Sequence, residues 1–419
     1  MDLRPRPGYA GVGYSRPTMA ATVDALRGAI ARSGWLELLQ TLVRTPSHPG
    51  LPHQEEAVVA ALGSYLETQG LPCTAEDVMS GRPNLLCSLE GASPGRHLVL
   101  CGHTDTVPLN ASDDGHGFSA KVADGMLHGR GACDMKGALA AMAAAMVALR
   151  STGGLAAGRL TLAAVIDEEM ESLGAEALVK NHFHADGAIV GEPTSNRVAL
   201  GHKGLEWLEI RFFGRAAHGG TPQAGVNAIV AAARFVGLVE DRLQPQLLTR
   251  SHPLLGPPTF NCGTITGGDQ PSTVAAACML RVDRRLVPGE TYAGVLAEIR
   301  ELLSEVERQV PGVRTNVARM RGGMATLEHR STVLEGDHPL AKALVRSATT
   351  AQGEERPVVA FPAWTDAALF SNFSSIPSIV LGPGDLAHAH SPREHVPLAE
   401  VEEAALIYAL AAQTFCVGE

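Results

Sequence analysis

Five short clusters place imidazole or carboxylate groups directly after apolar or glycine-rich stretches: Cys101-Gly102-His103-Thr104-Asp105, Ala132-Cys133-Asp134-Met135-Lys136, Ile166-Asp167-Glu168-Glu169, Val190-Gly191-Glu192-Pro193 and Ala387-His388-Ala389-His390. Like charges gathered beside buried elements repel each other and resist desolvation unless cations neutralise them. The pattern therefore predicts one shared metal centre. The His103/Asp105 pair suits a ligand histidine whose ring is oriented by the nearby acid.

Two cations bridged by one carboxylate need that bridge plus about two further protein ligands each, with a position left for water. The clusters supply Asp134 as the bridge, His103 and Glu192 for one ion, and Glu169 and His390 for the other. Nitrogen and carboxylate donors without thiolates favour two divalent ions, zinc first, with cobalt or manganese tolerated. Glu168 is adjacent to a ligand but points differently from the turn. It is assigned as the general acid/base that takes a proton from a metal-bridging water and later returns it to a leaving amine; the plain alternative is a solvent-exposed acid in a helix's first turn.

Elements of alternating type must carry these residues. Helices are expected at 22–45 and 54–69, then strands at 84–89 and 97–101. An alanine-rich helix at 136–150, a strand at 159–166, a helix at 174–181 and a strand at 187–190 follow. This is α/β layering with a mainly parallel sheet whose active loops lie at the strands' carboxyl ends. From Gly201 the rhythm changes to strand 205–213, helix 225–243, strands 258–266 and 274–284, helix 290–309 and strand 314–320. That order, β-α-β-β-α-β, is a ferredoxin-like α+β unit inserted into the α/β domain. The expected division is an arm at 1–19, a catalytic domain at 20–200 and 323–419, and a lid at 201–322. Beyond the lid come a helix at 339–351, a turn around Trp364, a strand at 378–381 and a closing helix at 398–416. Residues 321–326 are read as leading back to α/β patterning. Because His390 follows the lid, the catalytic domain must be discontinuous.

A length of 419 residues, 45% of them hydrophobic and 19% charged, supports substantial cores. The formal charge of −10 argues against nonspecific binding to nucleic acid or anionic lipid and for a small-molecule partner. Seven cysteines without CxxC spacing read as reduced thiols of a cytoplasmic protein. No uninterrupted apolar run of membrane-spanning length and no signal-type hydrophobic core is found, so no membrane is expected as partner. Residues 1–17, rich in Arg, Pro and Gly, read as a flexible arm, with Met19 an alternative start.

From about Leu36 onward, the motifs His103-Thr104-Asp105-Thr106-Val107-Pro108, Asp134-Met135-Lys136-Gly137, Glu168-Glu169, Gly191-Glu192-Pro193-Thr194-Ser195 and Ala389-His390-Ser391-Pro392 occur in sequence. In type and order they resemble the acetylornithine deacetylase, succinyl-diaminopimelate desuccinylase and glutamate carboxypeptidase family of dinuclear zinc hydrolases. The resemblance implies a lid that pairs two subunits into a homodimer. It also implies a lid histidine that crosses to the partner's active site to steady the oxyanion; here that is His218, in Ala217-His218-Gly219. Substrates of the family usually carry a carboxylate, and Arg285, within Asp283-Arg284-Arg285, resembles the family's clamp for it. Lys203 and the Gly382-Pro383-Gly384 turn are expected to assist.

Two departures bear on the substrate. An asparagine that many relatives place near Gly267–Val274 is replaced, with Ser272 as the candidate substitute. Trp364 stands where small residues are common; lining the pocket it would favour a bulky or apolar acyl group, and packed in the core it would not. The expected activity is hydrolysis of a linear amide bond in an N-acyl amino acid, by a metal-bridging hydroxide with Glu168 as acid/base. A carboxypeptidase or dipeptidase is the runner-up within hydrolases. A catalytically silent ligand-binding relative is the alternative of another class.

Overall fold

The computed structural model describes residues 19–110, 117–320 and 327–418. Most of the expected arm and the segment 321–326 lie outside the described residues. The large sheet has nine strands, in the order Cys73–Met79, Arg82–Glu90, Arg159–Val165, His97–His103, Gly187–Val190, Ser378–Val380, Ala199–His202 and Thr332–Val333, with Val359–Phe361 beside Ala199–His202. Its four central strands, from Arg159–Val165 to Ser378–Val380, run parallel, and the strands toward either edge pair antiparallel except Val359–Phe361, which runs parallel to Ala199–His202. The central strands are almost wholly buried, as parallel strands covered on both faces must be.

Helices cover both faces. Trp35–Arg44, Glu56–Thr68, Gly137–Ser151, Pro339–Gln352 and Leu398–Val417 pack into one core, and Leu173–Lys180 with Ala367–Phe373 into another. The Ala132–Ser151 stretch is long and apolar enough to cross a membrane by length and composition, yet its apolar residues, through Leu149, are buried within the protein. Its alanines let the long C-terminal helix approach closely, and a helix apolar on every side belongs inside a core.

The second sheet has the order Thr259–Gly267, Ala277–Leu286, Gly204–Phe213, Arg314–Arg319, all antiparallel. Helices Ala228–Leu238 and Tyr292–Gln309 pack with it into a separate core. This is the split βαβ arrangement, inserted between Ala199–His202 and Thr332–Val333 of the large sheet.

Several expected boundaries move for local reasons. The helix expected at 22–45 is two, Met19–Ala31 and Trp35–Arg44, because Gly34 adopts φ 80, a left-handed conformation open to glycine at no steric cost. The helix expected from Gly225 starts at Ala228, where the Asn227 side chain accepts from the Ile229 and Val230 amides. Gly201 and His202, assigned to the lid, instead pair in the large sheet with Thr332, Val333 and Phe361. The small antiparallel sheet His395–Pro397, Met126–His128, Lys121–Ala123 and the edge strand Cys73–Met79 were not expected.

Candidate active site

Because the four central strands are adjacent and parallel, their carboxyl ends share one edge, and each end carries a cluster. His103 closes its strand, Asp167-Glu168-Glu169 follows Val165, Glu192 follows Val190, and the Gly382–His390 segment follows Val380. Asp167 and His390 both adopt left-handed φ values, 69 and 58, which are uncommon for residues with a Cβ and concentrate at functional sites. Asp134 arrives from a different element, the turn that opens the alanine-rich helix.

Asp134 is the hub. Its Oδ1 lies 3.0 Å from His103 Nε2 and its Oδ2 lies 3.2 Å from His390 Nε2. Glu192 Oε1 approaches His103 Nε2 at 3.8 Å, and Glu169 Oε1 approaches His390 Nε2 at 3.0 Å. All five residues singled out as ligands are thus brought together, one imidazole and one glutamate on each side of a shared aspartate. Candidate ligand atoms of His103, Asp134 and Glu169 lie within 4.8 Å of one another, as do those of His103, Glu168 and Glu192.

Charge in this cluster is unbalanced. Burial first, then the neighbouring Asp134 charge, raises Glu192 well above the usual carboxylate range and raises Glu169 as well. Burial and Glu192 do the same to Glu168. For Asp134 burial is outweighed by hydrogen bonds from His103 and His390, which hold its carboxyl low. Hydrogen bonds to Asp134 and Glu169 push His390 up to about 10. Glu192 Oε1 is buried without a hydrogen-bond partner. A buried acceptor left idle among repelling carboxylates is costly, and two divalent cations would relieve both defects. The donor set fits them.

Asp105 does not join the cluster as a catalytic group. Fully buried, it accepts the Glu168 amide on Oδ1 and the Glu169 amide on Oδ2, each at 3.1 Å, while His103 Nδ1 faces its backbone oxygen at 3.0 Å and its carboxylate at 3.5 Å. It is a positioning residue for three neighbours at once. Glu394 plays a matching part on the other side, accepting the Cys133 and Asp134 amides at 3.1 Å each and pairing with Arg130. Behind the glutamate turn, Arg82 grips buried Glu55 through two bonds of 2.6 and 2.7 Å and reaches Asp167 at 2.6 Å. Sequence reasoning missed Glu394, Arg82 and Glu55; Glu394 lies four residues after His390, but its partner Arg130 is 264 positions away.

Other singled-out residues lie apart from the cluster. His218 is exposed, and its ring accepts only the Gly220 amide, at 3.0 Å, among the described residues. Arg285 pairs with Asp283 at 2.8 Å, and Lys203 donates to the Pro257 carbonyl at 2.6 Å. Gly382 is buried and has both backbone groups engaged, its N–H by Thr194 Oγ1 and its C=O by the Thr194 and Asn196 amides. A Cβ there would collide with the Gly191 carbonyl, so this glycine lets the turn approach the Glu192 loop and has no free group for a substrate. Trp364 is packed, 8% exposed, stacked on His329 with ring centroids 4.1 Å apart, its indole N–H toward the Arg330 carbonyl. The bulky-acyl expectation drawn from it is not supported by that placement. Ser272 sits in the lid opposite His218, where its carbonyl accepts the Gly219 amide.

Carboxylates and imidazoles converging at the carboxyl edge of an α/β sheet, with an inserted α+β unit, define a metal-dependent hydrolase of amide or peptide bonds. Peptidase family M20/M25/M40 matches residues 99–414, and the chain belongs to that family. It is 30% identical over 399 residues to an acetylornithine deacetylase of Proteus mirabilis, covering 92% of this chain and 97% of that one. Its fold matches an M20 family metallo-carboxypeptidase of Sulfolobus solfataricus with TM-score 0.73 at 18% identity, covering 91% of this chain and 99% of the other. It also matches a dinuclear metal-binding M20 peptidase of Bacillus subtilis with TM-score 0.66 at 15% identity, covering 91% and 98%.

Proposed function

We propose that the chain is a deacylase of N-acyl amino acids that works with two zinc ions, held by His103 and Glu192 on one side, Glu169 and His390 on the other, and Asp134 between. The observation that carries this reading is Asp134 itself, each of whose oxygens faces a different imidazole. When bound, such ions polarise an amide carbonyl and make water acidic enough to attack near neutral pH. The protein's own part begins with Glu168, whose carboxylate makes no hydrogen bond among the described residues and is partly exposed. It accepts a proton from the attacking water and hands it to the departing amine nitrogen.

Asp105 keeps Glu168 at the correct height by holding its amide. His218, exposed on the lid with its ring engaged only by the Gly220 amide among the described residues, reaches the centre of a second subunit and donates to the oxygen that gains charge; one such donor is worth roughly 3 kcal/mol of barrier. This requires a homodimer formed through the lid. The exposed Ile229 and Val230 of the lid helix and Ile265 of its outer strand suit that contact. Arg285 and Lys203 clamp the substrate carboxylate once the lid closes. Seven free thiols suit a cytoplasmic setting.

The likeness to an acetylornithine deacetylase supports acyl amino acids over peptides. A panel of N-acetyl, N-succinyl and longer N-acyl amino acids beside dipeptides, run on zinc-loaded protein, tests it. Dipeptide turnover exceeding every acyl amino acid would replace this reading with a dipeptidase or carboxypeptidase; no turnover of any member, with both ions bound, would favour a silent ligand-binding relative.

A further inference from the structure

Two of the seven cysteines face each other. Cys73 opens the edge strand Cys73–Met79 and is the ladder partner of Cys87 in Arg82–Glu90. Among the described residues no other cysteine sits opposite a cysteine: Cys101 faces Ala163 and Val190, Cys262 faces Val282, and Cys278 faces Phe212 and Gly267. Cys133 and Cys416 lie in helical segments.

Register fixes how close the pair is. Cys73/Cys87 lies in phase with Ala75/Leu85 and Asp77/Pro83, with no register shift between them. Pro83 has no N–H, so its pair with Asp77 cannot exchange two ladder hydrogen bonds and is of the non-hydrogen-bonded kind. Cys73/Cys87 shares that phase. Such pairs hold their Cα atoms about 4.5 Å apart, within the span of a disulfide, and their side chains lie on one face of the sheet. That face is the inner one: Cys87 is fully buried in the same core as Leu85 and Leu89, and Cys73 packs against that core while remaining partly exposed.

The two thiols differ in a way that orders a reaction. Cys73 is the one that solvent reaches. A hydrogen bond with Cys87 holds its thiol below the ordinary range, and the same bond, followed by burial, pushes Cys87 up. An accessible thiol with more thiolate character beside a protected one is the arrangement of an attacking and a resolving cysteine.

We propose that Cys73 and Cys87 form a reversible disulfide at the expense of a low-molecular-weight disulfide such as oxidised glutathione, and that the bond pins the edge strand to the sheet. Cys73 gives its proton to water and its thiolate attacks one sulfur of the reagent, forming a mixed disulfide and releasing one thiolate, which takes up that proton. The Cys87 sulfur then displaces the second half of the reagent from Cys73, its own proton passing to the leaving thiolate. Two protein thiols are oxidised by two electrons, and one reagent disulfide is reduced to two thiols. The pinned strand is mostly exposed and pairs on one side only. The closed loop contains Arg82, which holds Glu55 and Asp167 behind the glutamate turn.

The test equilibrates the zinc-loaded full chain with graded ratios of oxidised to reduced glutathione. Free thiols counted in denaturant should fall from seven toward five, with no glutathione left on the protein. A glutamate-specific protease cuts between the pair after Glu76, and the peptides carrying Cys73 and Cys87 should stay joined until reductant is added. Cys87→Ala should instead stop at a glutathione adduct on Cys73, and Cys73→Ser should leave Cys87 reduced. The oxidised wild type should melt several degrees above the reduced form, a gap that reductant removes. Seven thiols remaining at every ratio, a persistent adduct on wild-type Cys73, or joined peptides carrying other cysteines overturns the disulfide. Joined Cys73 and Cys87 peptides with an unchanged or lower melting temperature overturn the pinning.

Discussion

Glu168→Gln separates two roles that the geometry holds close together. Glu168 offers an oxygen within 4.8 Å of ligand atoms on His103 and Glu192, so proximity alone would let it bind an ion. Its amide, however, is fixed by Asp105, and the five other residues already provide a symmetric set around Asp134. The amide side chain keeps the volume of the carboxylate but cannot carry the proton. General acid/base groups contribute about 10²–10⁴ in rate, which is roughly 3–5.5 kcal/mol of barrier. We expect kcat to fall by that factor with zinc content unchanged at two per chain, read by elemental analysis on the protein used for kinetics.

The same substitution has a stability signature of opposite sign. Burial and Glu192 raise the folded pKa of Glu168 well above the ordinary value, which is about 4.3 in an unfolded chain. The folded state then holds the extra proton, so stability is full below the unfolded value and declines as pH rises through the folded one. In chelator at pH 8, where this penalty is present, Glu168→Gln should melt above the wild type, and the gap should close at pH 4. Unchanged turnover would refute the proton-carrying role. Loss of one zinc equivalent along with activity would refute it differently, by making Glu168 a ligand.

Three further outcomes are expected. Arg82→Met strands buried Glu55 and loosens Asp167, and removing one partner of such a pair costs about 3–5 kcal/mol; chemical denaturation should show a loss of that size, and a change below 1 kcal/mol would mean the network is solvated. His329 and His202 are buried and held neutral, each lowered to about 4, by desolvation first and then by the Arg319 charge for His329. Folded protein therefore binds fewer protons than unfolded between about pH 6.5 and 4, and stability drops as pH falls through that window by up to about 3 kcal/mol per group. His329→Phe preserves the stack on Trp364 and should flatten the urea midpoint against pH; an equally steep profile would exclude His329 as a cause. His218→Ala should lower kcat by about 10²–10³. Mixing it with Glu168→Gln should restore up to a quarter of wild-type activity as heterodimers form, because one of the two sites is then intact; no recovery after confirmed subunit exchange would rule out donation between subunits.

The legible part of this fold was the part governed by burial on both faces. Runs such as Leu98–Cys101 and Leu160–Val165 have no polar residue to spare beyond Thr161, so strand type and the shared edge follow from composition, and with them the meeting of His103, Glu169, Glu192 and His390. The Cys73–Met79 edge strand was illegible because most of its residues are exposed and Glu76 and Asp77 disfavour strands on their own; only pairing with Arg82–Glu90 makes it one. Gly34 carried a readable break signal that helical periodicity on both sides masked. Trp364 could be placed on neither side of the pocket wall from sequence, since its partner His329 lies 35 positions earlier and belongs to the chain returning from the lid.

The buried acids around the centre fall into two sets by what they bind. Asp105 and Glu394 each accept two backbone amides, and those amides belong to the residues that carry Glu168, Glu169 and Asp134. Their charge is spent on fixing loops. Glu192 and Glu168 have few or no protein partners for their oxygens, and Glu169 and Asp134 face imidazoles that are themselves ligand candidates. A carboxylate that receives amide hydrogens is stabilised whether or not a cation is near, whereas one that faces only other acids is stabilised by a cation alone. The first set can therefore hold the turns in place, leaving Glu192 and Glu168 geometrically ready and electrostatically unsatisfied. That division explains why so many acids share one edge of a sheet without unfolding it.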